Sequence, residues 1–437
     1  MTDTDTTWLT FVEHAALSDV GLRRSNNQDS CAVVLASDQR NWRERGHLFL
    51  VADGMGAHAA GELASKLAAG GIPHTYHKLL DQAPPEALRQ AVIESNAHIH
   101  GRGEANAEFH GMGTTTSVLV LLPQGAIVAH VGDSRVYRFR QGRLEQLTFD
   151  HSLVWEMTAT GQLPAGDVAN FIPKNIITRS LGPHAEVKVD LEGPLPLQAG
   201  DTFVLCSDGL SGQVKDEQIA AVLGAMSPSE AVRALVDLAN LQGGPDNVTV
   251  IVVRVAQPPP QAPDEQAAFH VRPIPARSSS LPALAVWVVL GVALLTAAGL
   301  ALIGHKIGAA VSLGVAIAVP VGAWLRQMAT SPEERTTTLS GPFGAAPYRS
   351  YDGAQAADTL VEFNQLLAQL REASREQHWL IDWPRLESFL SAAATARAAD
   401  NLPAATRQTL LAISFLMDQI RQQRKKQPPH DSARIDL

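Results

Sequence analysis

The residues best placed to do chemistry are four aspartates next to glycine: Asp53 in Asp53-Gly54, Asp133 in Gly132-Asp133, Asp208 in Asp208-Gly209, and Asp246 after Gly243-Gly244-Pro245. Each stands at the end of a predicted strand. Carboxylate oxygens are the ligands that Mg²⁺ and Mn²⁺ prefer. A neighbouring glycine lets the backbone turn sharply and lets a carbonyl approach an ion that a Cβ would hold off. The repetition points to a multi-carboxylate metal cluster, and no Cys/His spacing proposes zinc. Arg24 precedes a further carboxylate, Asp29, by five residues. Its guanidinium offers a fork of donors matched to phosphate oxygens. Together these are the parts for phosphate-ester hydrolysis, in which paired metals acidify a bound water and clamp the phosphoryl oxygens. Taken singly, a D-G pair reads as a strand-turn-helix junction, and Arg24 with Asp29 as a surface salt bridge.

The elements that must position these groups follow from apolar patterning. Strands are predicted at 14–18, 29–36, 48–52, 114–122, 126–131, 137–140, 202–206 and 248–255, from apolar or β-branched runs bounded by turn residues. Helical spacing appears at 59–80, 85–102, 218–223 and 229–241, with a short helix after Asp150-His151-Ser152 that reaches Thr160. The segment 161–174 is irregular, and a loop-rich insert beside a site often controls what reaches it. Composition and pattern alone read as mixed α and β.

The chain has 437 residues, a formal net charge of −9 and two cysteines. Its length implies more than one unit. The acidic balance excludes nucleic-acid binding by bulk electrostatics. Cys31 and Cys206 read as buried apolar thiols in a reducing compartment. The start, 1–11, is a polar tail without the basic and apolar regions of a secretory signal, which places the catalytic part in the cytoplasm. A Pro/Ser-rich linker spans 256–280, and two uncharged runs, 281–303 and 307–325, then predict a transmembrane helical hairpin over 281–326. The competing reading is one span plus a re-entrant or buried helix. A second linker covers 327–353, a helical region 354–426 and a tail 427–437. In the helical region Leu360, Phe363, Leu367 and Leu370 form one stripe and Leu410, Ile413, Met417 and Ile420 another. This small all-α region holds no catalytic constellation and reads as a bundle or a hairpin for an unknown partner. Arg421, Arg424, Lys425 and Lys426 read as a solvated basic helix end, with the helix dipole, anionic lipid or a partner as alternatives.

The strings S-D-V-G-L-R-R-S-N-N-Q-D, V-A-D-G-M-G-A-H-A-A-G-E, G-M-G-T-T, H-V-G-D-S-R-V-Y, L-T-F-D-H-S-L-V, I-T-R-S-L-G, C-S-D-G-L-S and G-G-P-D-N-V-T-V occur in order over residues 12–255. In this the chain resembles the metal-dependent type 2C (PPM) Ser/Thr protein phosphatases, in particular their bacterial branch. The resemblance implies an α+β fold, a β-sandwich of two antiparallel sheets flanked by helices. It implies two Mn²⁺ or Mg²⁺ ions, with a third, weaker one. Asp53 would bridge two metals, and Gly54 would give a backbone carbonyl to one. Asp208 and Asp246 would complete the first site, and Asp133 with Asp208 would hold the third ion. Arg24 matches the phosphate-binding arginine, and Asp29 the carboxylate that orients metal-bound water. The implied mechanism is direct, in-line attack of a metal-bridging water on phosphorus, without a phosphoenzyme. The implied partners are phosphoSer and phosphoThr proteins made by eukaryotic-like Ser/Thr kinases.

Three positions depart from the family pattern. Met55 stands where some members place a general-acid histidine, Gln28 where many carry Glu, and Ala57 where a glycine is common. His58 is a candidate for the acid, with a structural role at the helix start as its competitor. Asp150-His151-Ser152 matches the start of the family's flap segment and reads as regulatory or structural. A rival function is a membrane signalling adaptor that keeps the fold for binding; the presence of all four metal aspartates weighs for catalysis. A cytoplasmic N-domain and two spans put the protein in the inner membrane with both ends in the cytoplasm, and Arg272, Arg277 and Arg326 on the inner flanks agree with this.

Overall fold

The computed structural model describes residues 7–57, 59–159, 176–258, 268–271, 335–338, 343–352 and 356–426, with short stretches between 292 and 308. The chain divides into two compact units, one of Met1–Leu79, Pro84–Phe269 and Thr338–Leu437, the other of Leu80–Ala83 and His270–Thr337.

In the larger unit, the apolar and β-branched runs form strands β1 (Val12–Asp19), β2 (Asp29–Val34), β3 (His47–Met55), β4 (Gly113–Thr114), β5 (Thr116–Leu122), β6 (Gly125–Val131), β7 (Arg135–Arg140), β8 (Arg143–Gln146), β9 (Asp190–Leu195), β10 (Thr202–Cys206) and β11 (Val248–Val255). Strands β12 (Ala268–Val271) and β13 (Arg335–Thr338) pair as a separate ribbon, and β14 (Arg349–Asp352) follows. The helices are α1 (Thr7–Thr10), α2 (Gln39–Arg45), α3 (Ala60–Lys78), α4 (Pro84–Glu104), α5 (Leu153–Ala159), α6 (Asp208–Ser211), α7 (Asp216–Ala225), α8 (Pro228–Leu241), α9 (Ala356–Glu376), α10 (Trp383–Ala398) and α11 (Leu402–Lys426). Two antiparallel sheets result, ordered β1-β11-β10-β7-β8-β14 and β2-β3-β5-β6-β9, with β4 on β3.

Strand alternation explains why the central strands are apolar throughout. Phe49 and Val51 of β3 and Leu119 and Leu121 of β5 meet Phe203 and Leu205 of β10 and Ile251 and Val253 of β11 between the sheets. The alternate residues Val204, Cys206, Val250 and Val252 face outward and pack with Ile219, Val222 and Leu235 of α7 and α8. Both faces are buried, so no polar alternation survives in the sequence. Helices α3 and α4 pack together, α3 on β3 and β2 and α4 on β6. Cys206 is buried and Cys31 half-buried, and both are free thiols.

The C-terminal helices belong to this unit. Phe363 and Leu367 of α9, Leu386 of α10, and Ile413, Leu416 and Ile420 of α11 lie in the same apolar cluster as Ile219 and Leu223 of α7. Ion pairs cross the contact: Lys215 with Glu362 at 2.8 Å, Arg233 with Asp418 at 2.8 Å, and Arg421 with Asp237 at 2.6 Å. Arg421 is therefore not part of a free basic end: it reaches a carboxylate in the interior. Side chains cap the starts of α10 and α11, Asp382 accepting from Arg385 N at 3.1 Å and Asn401 from Ala404 N at 3.1 Å. The segment 327–353, read as a linker, contains β14, which pairs with β8. Its residues Arg-Ser-Tyr-Asp carry no apolar run because an edge strand has one open side.

The expected transmembrane hairpin, 281–303 and 307–325, falls mostly outside the described residues. Among the described residues no helix is long and apolar enough to cross a membrane.

Candidate functional site

The carboxylates gather because strand direction brings them to one end of the sandwich. Strands β3, β6 and β10 run toward that end and lead into Asp53, Asp133 and Asp208; β2 begins there at Asp29, and β11 begins there just after Asp246. The β2–β3 register sets Asp29 directly across from Asp53. Like charges so placed are unfavourable unless a proton or a cation stands between them.

Their ionisation records that conflict. Burial drives the Asp29 carboxyl up to about 7, with Asp208 and Asp246 adding to the rise against hydrogen bonds from Thr249 and Ser207. Asp133 is pushed up to about 8, by burial first and then by Asp208 and Asp150. Asp53 is raised well above the carboxylate range by burial and by Asp29, Asp208 and Asp133, and Asp208 rises through burial and Asp246. Oδ1 of Asp29, of Asp133 and of Asp208 is buried without a hydrogen-bond partner. Hard oxygen donors, several converging negative charges and unpartnered buried oxygens are what a divalent cation would satisfy. Among the described residues, no group of three His, Cys, Asp or Glu side chains stands preassembled as a ligand set. The aspartates share one end and one field, not a finished coordination sphere.

Close backbone packing supports the cluster. A Cβ on Gly54 would lie 2.1 Å from the Gly61 carbonyl oxygen and 2.6 Å from that of Gln28, so only glycine fits behind Asp53. Gly132 adopts φ +113°, and a Cβ there would meet Thr115 at 2.6 Å. The Asp53 amide donates to Thr115 Oγ1 at 2.9 Å. Arg24, on the loop after β1, donates from Nη2 to Asp246 Oδ2 at 2.7 Å and remains half exposed. Gln28 donates from Nε2 to the Gly56 carbonyl at 3.2 Å. His58 lies outside the described residues.

Of the supporting residues, Ser207 and Asn247 carry no role in the sequence reading, and His151 was read only as regulatory or structural. Ser207 donates its hydroxyl to Asp29 Oδ2 at 2.7 Å. Asn247 fastens the Arg24 loop: Nδ2 donates to the carbonyls of Val20 and Asn26 at 2.9 Å each, and Oδ1 accepts from Gln28 N at 2.8 Å. His151 accepts from Gly132 N at Nδ1 (2.9 Å), and its Nε2 lies 2.9 Å from Asp190 Oδ2. Position was the available signal, since Ser207 and Asn247 each adjoin a site aspartate.

A family model described as Protein phosphatase 2C matches residues 22–239. A protein of Streptococcus pyogenes described as a putative protein phosphatase 2C-type is 36% identical over 241 residues, covering 54% of this chain and 94% of that protein. Serine/threonine phosphatase stp of Listeria monocytogenes is likewise 36% identical, over 54% of this chain and 93% of its own. The solved serine/threonine phosphatase of S. agalactiae is 35% identical, with a TM-score of 0.50 over 56% of this chain and 100% of its own.

Proposed function

This chain belongs to the protein phosphatase 2C family and is a serine/threonine protein phosphatase; from that premise we propose that its aspartate cluster hydrolyses phosphoSer and phosphoThr monoesters with two Mn²⁺ or Mg²⁺ ions and a weaker third. The observation that carries the reading is the set of buried, unpartnered oxygens on Asp29, Asp133 and Asp208 at the end that also holds Arg24. Asp53, the Gly54 carbonyl, Asp208 and Asp246 would hold the metal pair, and Asp133 with Asp208 the third ion. When bound, the metals would supply an acidified water and charge neutralisation at the phosphoryl group. Asp29 is held by Ser207 through Oδ2, which leaves Oδ1 to accept a hydrogen bond from the attacking water and orient it. Arg24 sits where its guanidinium can exchange Asp246 for a substrate phosphate.

In this reading the substrates are phosphoproteins made by eukaryotic-like Ser/Thr kinases. The uncharged runs 281–303 and 307–325 tether the protein to the inner membrane with both ends in the cytoplasm. The adaptor reading is not favoured, since every expected metal aspartate is present and gathered.

Dephosphorylation of a phosphothreonine peptide by the full chain, with Mn²⁺ and then with excess EDTA, tests the proposal. The full chain is needed because α9 and α11 complete the apolar cluster of α7 and α8. Activity should require the metal and vanish in Asp208→Ala with the fold intact. Full activity in that variant would remove the metal assignment.

A further inference from the structure

Residues 343–352 lie beyond the 22–239 matched to the family, yet they are hydrogen-bonded to β9 and β8 of the sandwich. Phe343 N donates to the Gly193 carbonyl at 2.6 Å and Gly193 N returns a bond to Phe343 at 3.2 Å. Ala346 N and the Tyr348 hydroxyl donate to the buried Glu192 carboxylate at 2.9 and 2.6 Å. Tyr348 N then donates to the Gln146 carbonyl at 2.9 Å, and β14 pairs with β8. Glu192 and Gly193 are on β9, the last strand of one sheet, while β14 is added beside β8 as the last strand of the other. The strap therefore ties the two sheet edges together.

From this strap, exposed Arg349 lays its guanidinium 4.0 Å from the ring centroid of Trp155 on α5. Tyr348 meets Phe149 edge-on at 5.5 Å, and Phe149 meets Trp155 edge-on at 5.1 Å. Helix α5 begins just after Asp150 and His151. Arg135 grips the Asp150 carboxylate at 2.6–3.0 Å, and the His151 amide donates to the Gly132 carbonyl at 2.7 Å, one residue from Asp133. A cation over an indole face is attracted by the ring quadrupole; Arg349 is the nearer of two on Trp155, with Arg135 at 5.8 Å from the centroid, so the contact favours the observed placement of α5.

We infer that Arg349 is a positioning residue which, through Trp155, sets where α5 stands beside the aspartate cluster and thereby how a phosphoprotein chain is received. The inference rests on the phosphatase reading and gives that reaction a specificity element drawn from this chain's own C-terminal extension. On this inference a phosphate group alone reaches the aspartates without touching α5, whereas the polypeptide flanking it passes over that helix.

Steady-state kinetics of the full chain on a phosphothreonine peptide and on p-nitrophenyl phosphate test this. Arg349→Ala should raise the peptide KM about fivefold while leaving peptide kcat, and kcat/KM for p-nitrophenyl phosphate, within about twofold. Arg349→Lys, which keeps a cation over the ring, should restore most of the peptide KM. Adding Arg349→Ala to Trp155→Leu should change nothing further. An unchanged peptide KM in Arg349→Ala, an equal loss on both substrates, or full additivity with Trp155→Leu would overturn the inference. Failure of the phosphatase reading is separately visible, as absence of hydrolysis of either substrate by the unmodified chain.

Discussion

Asp237 tests how the C-terminal helices are bound to the sandwich. Its side chain on α8 is 1% exposed and lies 2.6 Å from Arg421 of α11. Burial pushes its carboxyl from 3.8 up to about 6, against the opposing pull of Arg421, Ser414 and Arg233. An acid whose folded-state value is raised holds its proton more tightly when folded. Stability is therefore lost as pH rises from the unfolded value through the folded one. At 1.36 kcal/mol per unit, the interval from 3.8 to about 6 corresponds to about 3 kcal/mol. Asp237→Asn is the same size and neutral at every pH, so it lacks this dependence. Arg421, 28% exposed, can still reach water in that variant. Denaturant unfolding of both proteins should show the variant gaining about 3 kcal/mol on the parent between about pH 4 and pH 7. Arg421→Ala should act oppositely, costing about 3–5 kcal/mol at neutral pH by stranding a buried carboxylate and costing progressively less toward pH 4. Parallel curves for Asp237→Asn and the parent would refute the reasoning that burial outweighs the pull of Arg421 at this carboxyl.

Two further outcomes are expected. Phe363 is fully buried in the cluster shared by α7, α9 and α11, so Phe363→Ala should cost about 3–5 kcal/mol of unfolding free energy; a loss under about 1 kcal/mol would mean that α9 is only loosely attached. For the proposed tether, compartment-sensitive reporters fused before Trp8 and after Leu437 should both report cytoplasm, and a periplasmic signal at the C-terminus would leave a single span.

The elements legible in the sequence were those buried on both faces. Residues 48–52 and 202–206 read as strands because nothing polar interrupts them and 114–122 because it is largely β-branched, and the D-G turns after the first two marked the site. Strands β8, with Arg-Leu-Glu-Gln, and β9, with Asp-Leu-Glu-Gly-Pro-Leu, were not legible. They lie toward the sheet margins, where charged residues, glycine and proline are tolerated. The site shows the same division. Asp53, Asp133, Asp208 and Asp246 announce themselves by carboxylate and glycine and Asp29 by its spacing from Arg24, whereas Ser207 and Asn247 act through hydrogen bonds to partners 178 and 221 residues away. No local pattern encodes that separation.

The C-terminal stripes stated that α9 and α11 would bury one face, but an amphipathic helix does not name its cover. The missing half of that statement lay in α8, where every residue from Ala234 to Asn240 is buried. A helix laid on a sheet and open to water on its far side keeps a polar face. One buried all round needs a second layer outside it. Asp237, in the middle of that buried run, specified what the layer had to bring, because a carboxylate cannot be enclosed there without a cation. Arg421, from a helix near the end of the chain, supplies it. The burial requirement of α8 and the stripe on α11 are thus two sides of one interface, and each is intelligible only once the other is placed against it.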